Sequence, residues 1–145
     1  MSKRNKDLYY CELTPFKRAY VGLCLSDRAF HEELRRTKLK EDLGSFLKDG
    51  AVATTWTFNH RGGRTLYLVT LQEKPEFSML QIVGLLAHEA THVWQGECDA
   101  MNETNPGSEV EAYGIQGLTQ NLLEAFIRLR PKYKMVAKPV AQWKS

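Results

Sequence analysis

The chain has 145 residues, of which 43% are hydrophobic and 26% charged, with a formal net charge of +3; these are the proportions of an ordinary globular domain large enough to bury its own core. No apolar run approaches the length of a membrane span, and three cysteines (Cys11, Cys24, Cys98) with no C-x-x-C pair exclude a disulfide framework. The basic start, residues 1–7, leads into Leu8-Tyr9-Tyr10-Cys11-Glu12, which is no signal-peptide core, so the expectation is one domain over residues 1–145 acting in the cytoplasm.

In chain order, residues 20–25 read as a short strand, with Cys11 and Cys24 in apolar, strand-like surroundings. Ser26 or Asp27 then caps a helix through Phe30 and Leu34, extending toward Leu39. Residues 51–58 and 65–71 are rich in β-branched and aromatic side chains, and residues 59–64, with Gly62 and Gly63, supply turn chemistry, which predicts a β-hairpin. From residue 78 to 95 the period becomes helical. Met79, Ile82, Val83, Leu86, Ala90 and Val93 form one stripe for the core, and Gly96 is the expected terminator. A polar loop with the turn signal Asn105-Pro106-Gly107 follows. Ser108 opens a second long helix that Pro131 stops near Arg130, and residues 131–145 form a basic tail. The pattern is α+β.

His88-Glu89-Ala90-Thr91-His92 is the pattern that carries chemistry, and a random arrangement of this composition produces it rarely. Histidines four apart share one helical face, here with Gln81, Gly84, Leu85 and Gln95, so both imidazoles reach a single metal ion. The glutamate between them can serve as general base toward a water on that metal. The expected ion is Zn²⁺, and a hydrolytic zinc site takes three protein ligands. Position 98 is Cys, so the spacing that would supply a third histidine fails. Cys98 reads instead as a small core thiol.

Glu97, Asp99, Glu103, Glu109 and Glu111 remain as carboxylate donors. Glu111 falls in phase with the apolar stripe Ile115, Leu118, Leu122 and Leu129, whereas Glu109 lies with Tyr113, Gln116 and Gln120. A core-facing carboxylate needs a partner or a metal, which favours Glu111 as the third ligand. The competing role for Glu111 is a capping box with Ser108.

The motif, eighteen intervening residues and Glu111 together resemble the gluzincin arrangement H-E-x-x-H-x18-E. The strings Leu85-Leu86-Ala87-His88-Glu89-Ala90-Thr91-His92-Val93-Trp94-Gln95 and Pro106-Gly107-Ser108-Glu109-Val110-Glu111-Ala112-Tyr113-Gly114-Ile115-Gln116 are similar to small zinc peptidases encoded by bacteriophages and prophages, over residues of about 80–125. The resemblance implies a minimal zincin-like domain: a small antiparallel or mixed sheet packed on the H-E-x-x-H helix and a second long helix. It also implies a metallopeptidase acting on a protein or peptide, in the host cytoplasm for a phage-encoded chain.

The expected mechanism has Zn²⁺ on His88, His92 and Glu111, Glu89 as base, and a strand at residues 65–71 offering its edge to an extended peptide. Tyr113, His60 and Arg61 are candidate oxyanion stabilisers that nothing in the sequence selects among. The alternative reading is a non-catalytic zinc-binding regulatory or host-interaction protein that contacts nucleic acid through its basic C-terminus. Arg128, Arg130, Lys132, Lys134, Lys138 and Lys144 follow Glu124 with no further acid. A solvated helix end and tail is the commoner meaning of such a run, so neither nucleic acid nor a membrane is an expected partner.

Overall fold

A computed structural model describes residues 5–11, 14–39, 45–59 and 64–133. The elements are β1 (Leu8–Tyr10), β2 (Ala19–Cys24), α1 (Asp27–Arg36), β3 (Ala53–Asn59), β4 (Thr65–Leu71), α2 (Met79–Ala100) and α3 (Ser108–Leu129), closed by a 3-10 turn at Pro131–Tyr133. They form an α+β architecture with one mixed sheet in the order β1-β2-β4-β3. β1 and β2 are antiparallel, β2 and β4 parallel, and β3 and β4 antiparallel. No helix among the described residues is long and apolar enough to cross a membrane.

Alternation along the strands sorts the core into two layers. Ala19, Val21 and Leu23 of β2 join Tyr67, Val69 and Leu71 of β4 beneath α2 and α3. On the opposite face Cys24, Leu66, Leu68 and Phe58 meet Phe30 and Leu34 of α1. β4 is thus covered on both faces, which is why its sequence runs almost continuously apolar from Leu66 to Leu71. The hairpin of β3 and β4 and the strand β2 form where the sequence predicts them. The three-residue β1 ends beside Cys11, in surroundings that read as strand-like but for which no strand bounds are predicted.

One expectation is corrected here. Residues 65–71 are not an edge but the interior strand between β2 and β3. The edge strands are β1 and β3, and Thr55 and Thr57 of β3 supply the polar positions that a half-covered strand tolerates.

The helix boundaries follow local chemistry. Ser26 caps α1 by accepting from the Ala29 amide at 3.2 Å. Ser78 caps α2 in a full capping box: its hydroxyl accepts from the Gln81 amide, and the Gln81 side chain accepts from the Ser78 amide. Gly96 does not terminate α2, contrary to expectation. It is an interior residue at a close approach, where a Cβ would lie 2.8 Å from the Tyr67 ring. The helix continues to Ala100 and ends with Asn102 in the left-handed region (φ 55°). The Glu103 amide donates back to the Cys98 carbonyl at 2.9 Å, so Asn102 does the work expected of glycine.

α2 and α3 pack face to face over the sheet. Gly114 is what lets them approach, since a Cβ there would stand 2.2 Å from Cζ3 of Trp94. The buried Glu97, 1% exposed, faces this layer and accepts hydrogen bonds from Thr14 (2.9 Å) and Tyr67 (3.2 Å). At the far end of α3 Arg130 donates to Glu73 and Asp7, tying the helix terminus to the strand ends. The basic residues 134–145 and their Lys134, Lys138 and Lys144 lie outside the described residues.

Candidate metal centre

α2 carries its apolar stripe (Ile82, Leu86, Ala90, Val93) into the core and turns His88 and His92 outward, as the phase of the sequence requires. The two imidazoles converge. Their Nε2 atoms stand 3.1 Å apart, with ring centroids at 4.8 Å. Two Zn–N bonds of tetrahedral geometry place their nitrogens roughly 3.3–3.4 Å apart. The pair is therefore spaced for one ion.

Gln95 is a site residue to which the sequence analysis assigns no role. Its Oε1 lies 3.1 Å from His92 Nδ1. An amide oxygen can only accept, so a hydrogen bond here uses the Nδ1–H tautomer of His92, the one that leaves the Nε2 lone pair on the side of His88. Histidines that bind metals are commonly oriented by an outer hydrogen bond of this kind. The available signal was its spacing, one turn beyond His92 on the same face.

Glu89 points a different way. Its phase turns it toward β3, and it is 4% exposed, although it lines the same cleft as the histidines. Thr55 donates to its Oε2 at 2.6 Å. The cleft encloses about 440 Å³ between α2 and β3, with Thr55, Thr57, His88, Glu89, His92 and Asp99 among its walls. Lys48 also borders it, but its ammonium lies 5.6 Å from the centre of the Trp56 ring. Among the described residues β3 pairs only with β4, so its outer edge adjoins this cleft.

The carboxylates weighed as third donor are dispersed. Glu97 is buried on the opposite side of α2, bound to Thr14 and Tyr67. Asp99 shares the histidine face and the cleft, but seven residues of helix set it about 10.5 Å along the axis from His92. Glu103 is exposed and accepts from the Asn105 amide. Glu109 is exposed, as its polar phase predicts.

Glu111 departs from expectation in its exposure, and its competing role as a cap is not realised either. It is in phase with Leu118 and Leu122, yet it is exposed, because every residue from 107 to 113 lies above the packed part of α3. Nor does it cap the helix: Gly107 is the N-cap, with no side-chain cap bond, so the Ser108 box does not form. Its carboxylate has no hydrogen-bond or ion-pair partner among the described residues. Among those residues no three His, Cys, Asp or Glu side chains converge on one point.

Cys98 is a buried thiol of the core cluster beneath α2 and α3. Burial, then the carboxylates of Glu103, Glu111, Asp99 and Glu97, push its pKa up, so it stays protonated as a core thiol. Burial likewise pushes Cys11 and Cys24 up to about 12. Tyr113 is 69% exposed on α3, and His60 and Arg61 lie outside the described residues. Comparison with models of known protein families, with curated proteins and with solved structures found no match.

Proposed function

We propose that this chain is a minimal zincin-like, zinc-dependent hydrolase of peptide bonds. The observation that carries the reading is the convergence of His88 and His92 Nε2 at 3.1 Å, on a cleft that also holds the Glu89 carboxylate. The imidazole donors, with the tautomer of His92 set by Gln95, fit a zinc ion. The carboxylate of Glu111 completes the ligand set on its gluzincin spacing, and its side chain is exposed, with no partner among the described residues. Zinc held there would supply a Lewis acid and bring the pKa of water toward neutrality.

The chain's own residues do the rest. Thr55 occupies Oε2 of Glu89, which leaves Oε1 to take a proton from the attacking water and pass it to the leaving amine. The outer edge of β3 offers backbone donors and acceptors to an extended peptide, laid past the histidines as an added strand. The substrate class that suits this edge is an unstructured or locally unfolded segment of protein.

The test compares zinc content and proteome-wide peptide cleavage for the wild type, Glu89→Gln and His88→Ala. Glu89→Gln retains zinc and loses about 10²–10⁴-fold in hydrolysis, while His88→Ala loses the metal. Wild-type turnover by Glu89→Gln, or zinc-loaded wild type without any cleavage, defeats the assignment and leaves the non-catalytic zinc-binding reading.

A further inference from the structure

Glu89 is the one buried carboxylate in the cleft, and its orientation is set from outside its own helix. The Thr55 hydroxyl lies 2.6 Å from Glu89 Oε2 and 3.3 Å from the Glu89 carbonyl oxygen. With one proton to give, the hydroxyl gives it to the nearer acceptor, the carboxylate oxygen. No other hydrogen bond to this carboxylate occurs among the described residues. Thr55 is itself held by the sheet, opposite Val69 in the β3–β4 register. A β-branched residue in a strand has few χ1 choices. The donor is therefore stiff, and it belongs to the edge strand rather than to the metal helix.

We propose that Thr55 is the positioning residue of Glu89: its hydroxyl pins Oε2 and thereby selects Oε1 as the oxygen presented to the cleft. This rests on the hydrolytic reading given above. It assigns the edge strand a second role. β3 would dock the substrate through its backbone and aim the general base through a side chain, so both depend on the same strand staying in register against α2.

A plain structural tie between β3 and α2 would also use this hydrogen bond, and the test must separate the two. Thr55→Val keeps the shape and β-branching of the side chain and removes only the donor. Thr55→Ser keeps the donor and removes a methyl group. Both are measured as full-length, zinc-loaded protein for kcat and KM on one cleaved peptide, together with zinc stoichiometry and melting temperature.

Positioning predicts that Thr55→Val binds stoichiometric zinc, keeps KM within about twofold and loses about 10–100-fold in kcat, the usual cost of removing an orienting partner. Thr55→Ser recovers most of that loss. A Thr55→Val rate equal to wild type, or a Thr55→Ser rate as low as Thr55→Val, overturns the proposal. Crystal structures of wild type and Thr55→Val provide a readout independent of turnover. The Glu89 carboxylate rotates away from its wild-type rotamer in the variant if Thr55 positions it, and an unchanged rotamer overturns the idea. If the wild type cleaves nothing, the functional reading fails by itself, and the rotamer comparison still decides the role of Thr55.

Discussion

Replacing Gly114 with alanine sets helix propensity against packing, and the structure indicates which prevails. Alanine in a helix interior is favoured over glycine by about 1 kcal/mol. At position 114, however, the added Cβ would lie 2.2, 2.4 and 2.9 Å from Cζ3, Cε3 and Cη2 of Trp94, where carbon atoms prefer separations of about 3.5–4.0 Å. The Trp94 ring must retreat by more than an ångström or the helices must part. Trp94 is 3% exposed and stacked by Phe16 at 5.5 Å between ring centroids, so it has little room.

Overpacking of this kind costs about 1–3 kcal/mol. Gly117, one turn further along α3, has nothing within 4 Å of its Cβ position and supplies the control. Gly117→Ala should gain about 0.5–1 kcal/mol. Gly114→Ala should be less stable than that control by the crowding term. Urea unfolding of the metal-free proteins, read by circular dichroism with m held equal, measures the difference. Because Trp94 and the histidines share α2, the displacement of that helix in Gly114→Ala should also weaken zinc binding while Gly117→Ala leaves it intact. Equal stability of the two alanine variants would refute the close-packing argument.

Two further predictions use the charged groups. Asp7 and Glu33 titrate below their ordinary values: burial opposes the shift, and it is overcome by Arg130 at Asp7 and by Arg36 and Tyr10 at Glu33. A carboxylate with a depressed folded pKa stabilises the protein above its unfolded pKa, and that contribution is lost as pH falls through the folded value. Melting temperature should therefore decline below about pH 4.5, the ordinary value for a glutamate, and Arg130→Leu should flatten the Asp7 share of the decline; an identical acid slope in that variant counts against the assignment. Gln95→Leu removes the acceptor from His92 Nδ1 and should lower zinc affinity by about 10–100-fold, measured by competition with a chromophoric chelator; unchanged affinity would show that Gln95 does not orient the ligand.

Local rules made much of this chain legible in advance. Period located α1, the β3 and β4 strands and both long helices, and capping chemistry placed the start of α1 at Ser26, because each signal is confined to neighbouring residues; the cap expected at Ser108 does not form. The same periodicity put His88 and His92 on one outward face of α2, which four-residue spacing on a helix guarantees. What local rules could not supply was the environment of each position. Gly96 resembles a helix terminator in sequence, yet the Tyr67 ring beside it requires the missing Cβ and the helix runs on. Residues 65–71 resemble any strand, but pairing with β2 on one side and β3 on the other makes them interior and leaves β3 at an edge.

The site divides along the same line. The identity of the imidazole pair and of Glu89 was written in the motif, since one helix holds all three. The partners that orient them were not equally visible. Gln95 lies one turn from His92, but its role depends on which way two side chains point. Thr55 is 34 residues from Glu89, and only the packing of β3 against α2 brings them together. Glu111 shows the limit of phase alone: in register with a buried stripe, it still ends in solvent, because burial depends on what packs opposite a residue. The sequence by itself determined a two-histidine helix with an internal carboxylate. The tertiary structure decided which strand borders it, which hydroxyl meets the Glu89 carboxylate and which carboxylates stand apart, because those are relations between elements distant along the chain.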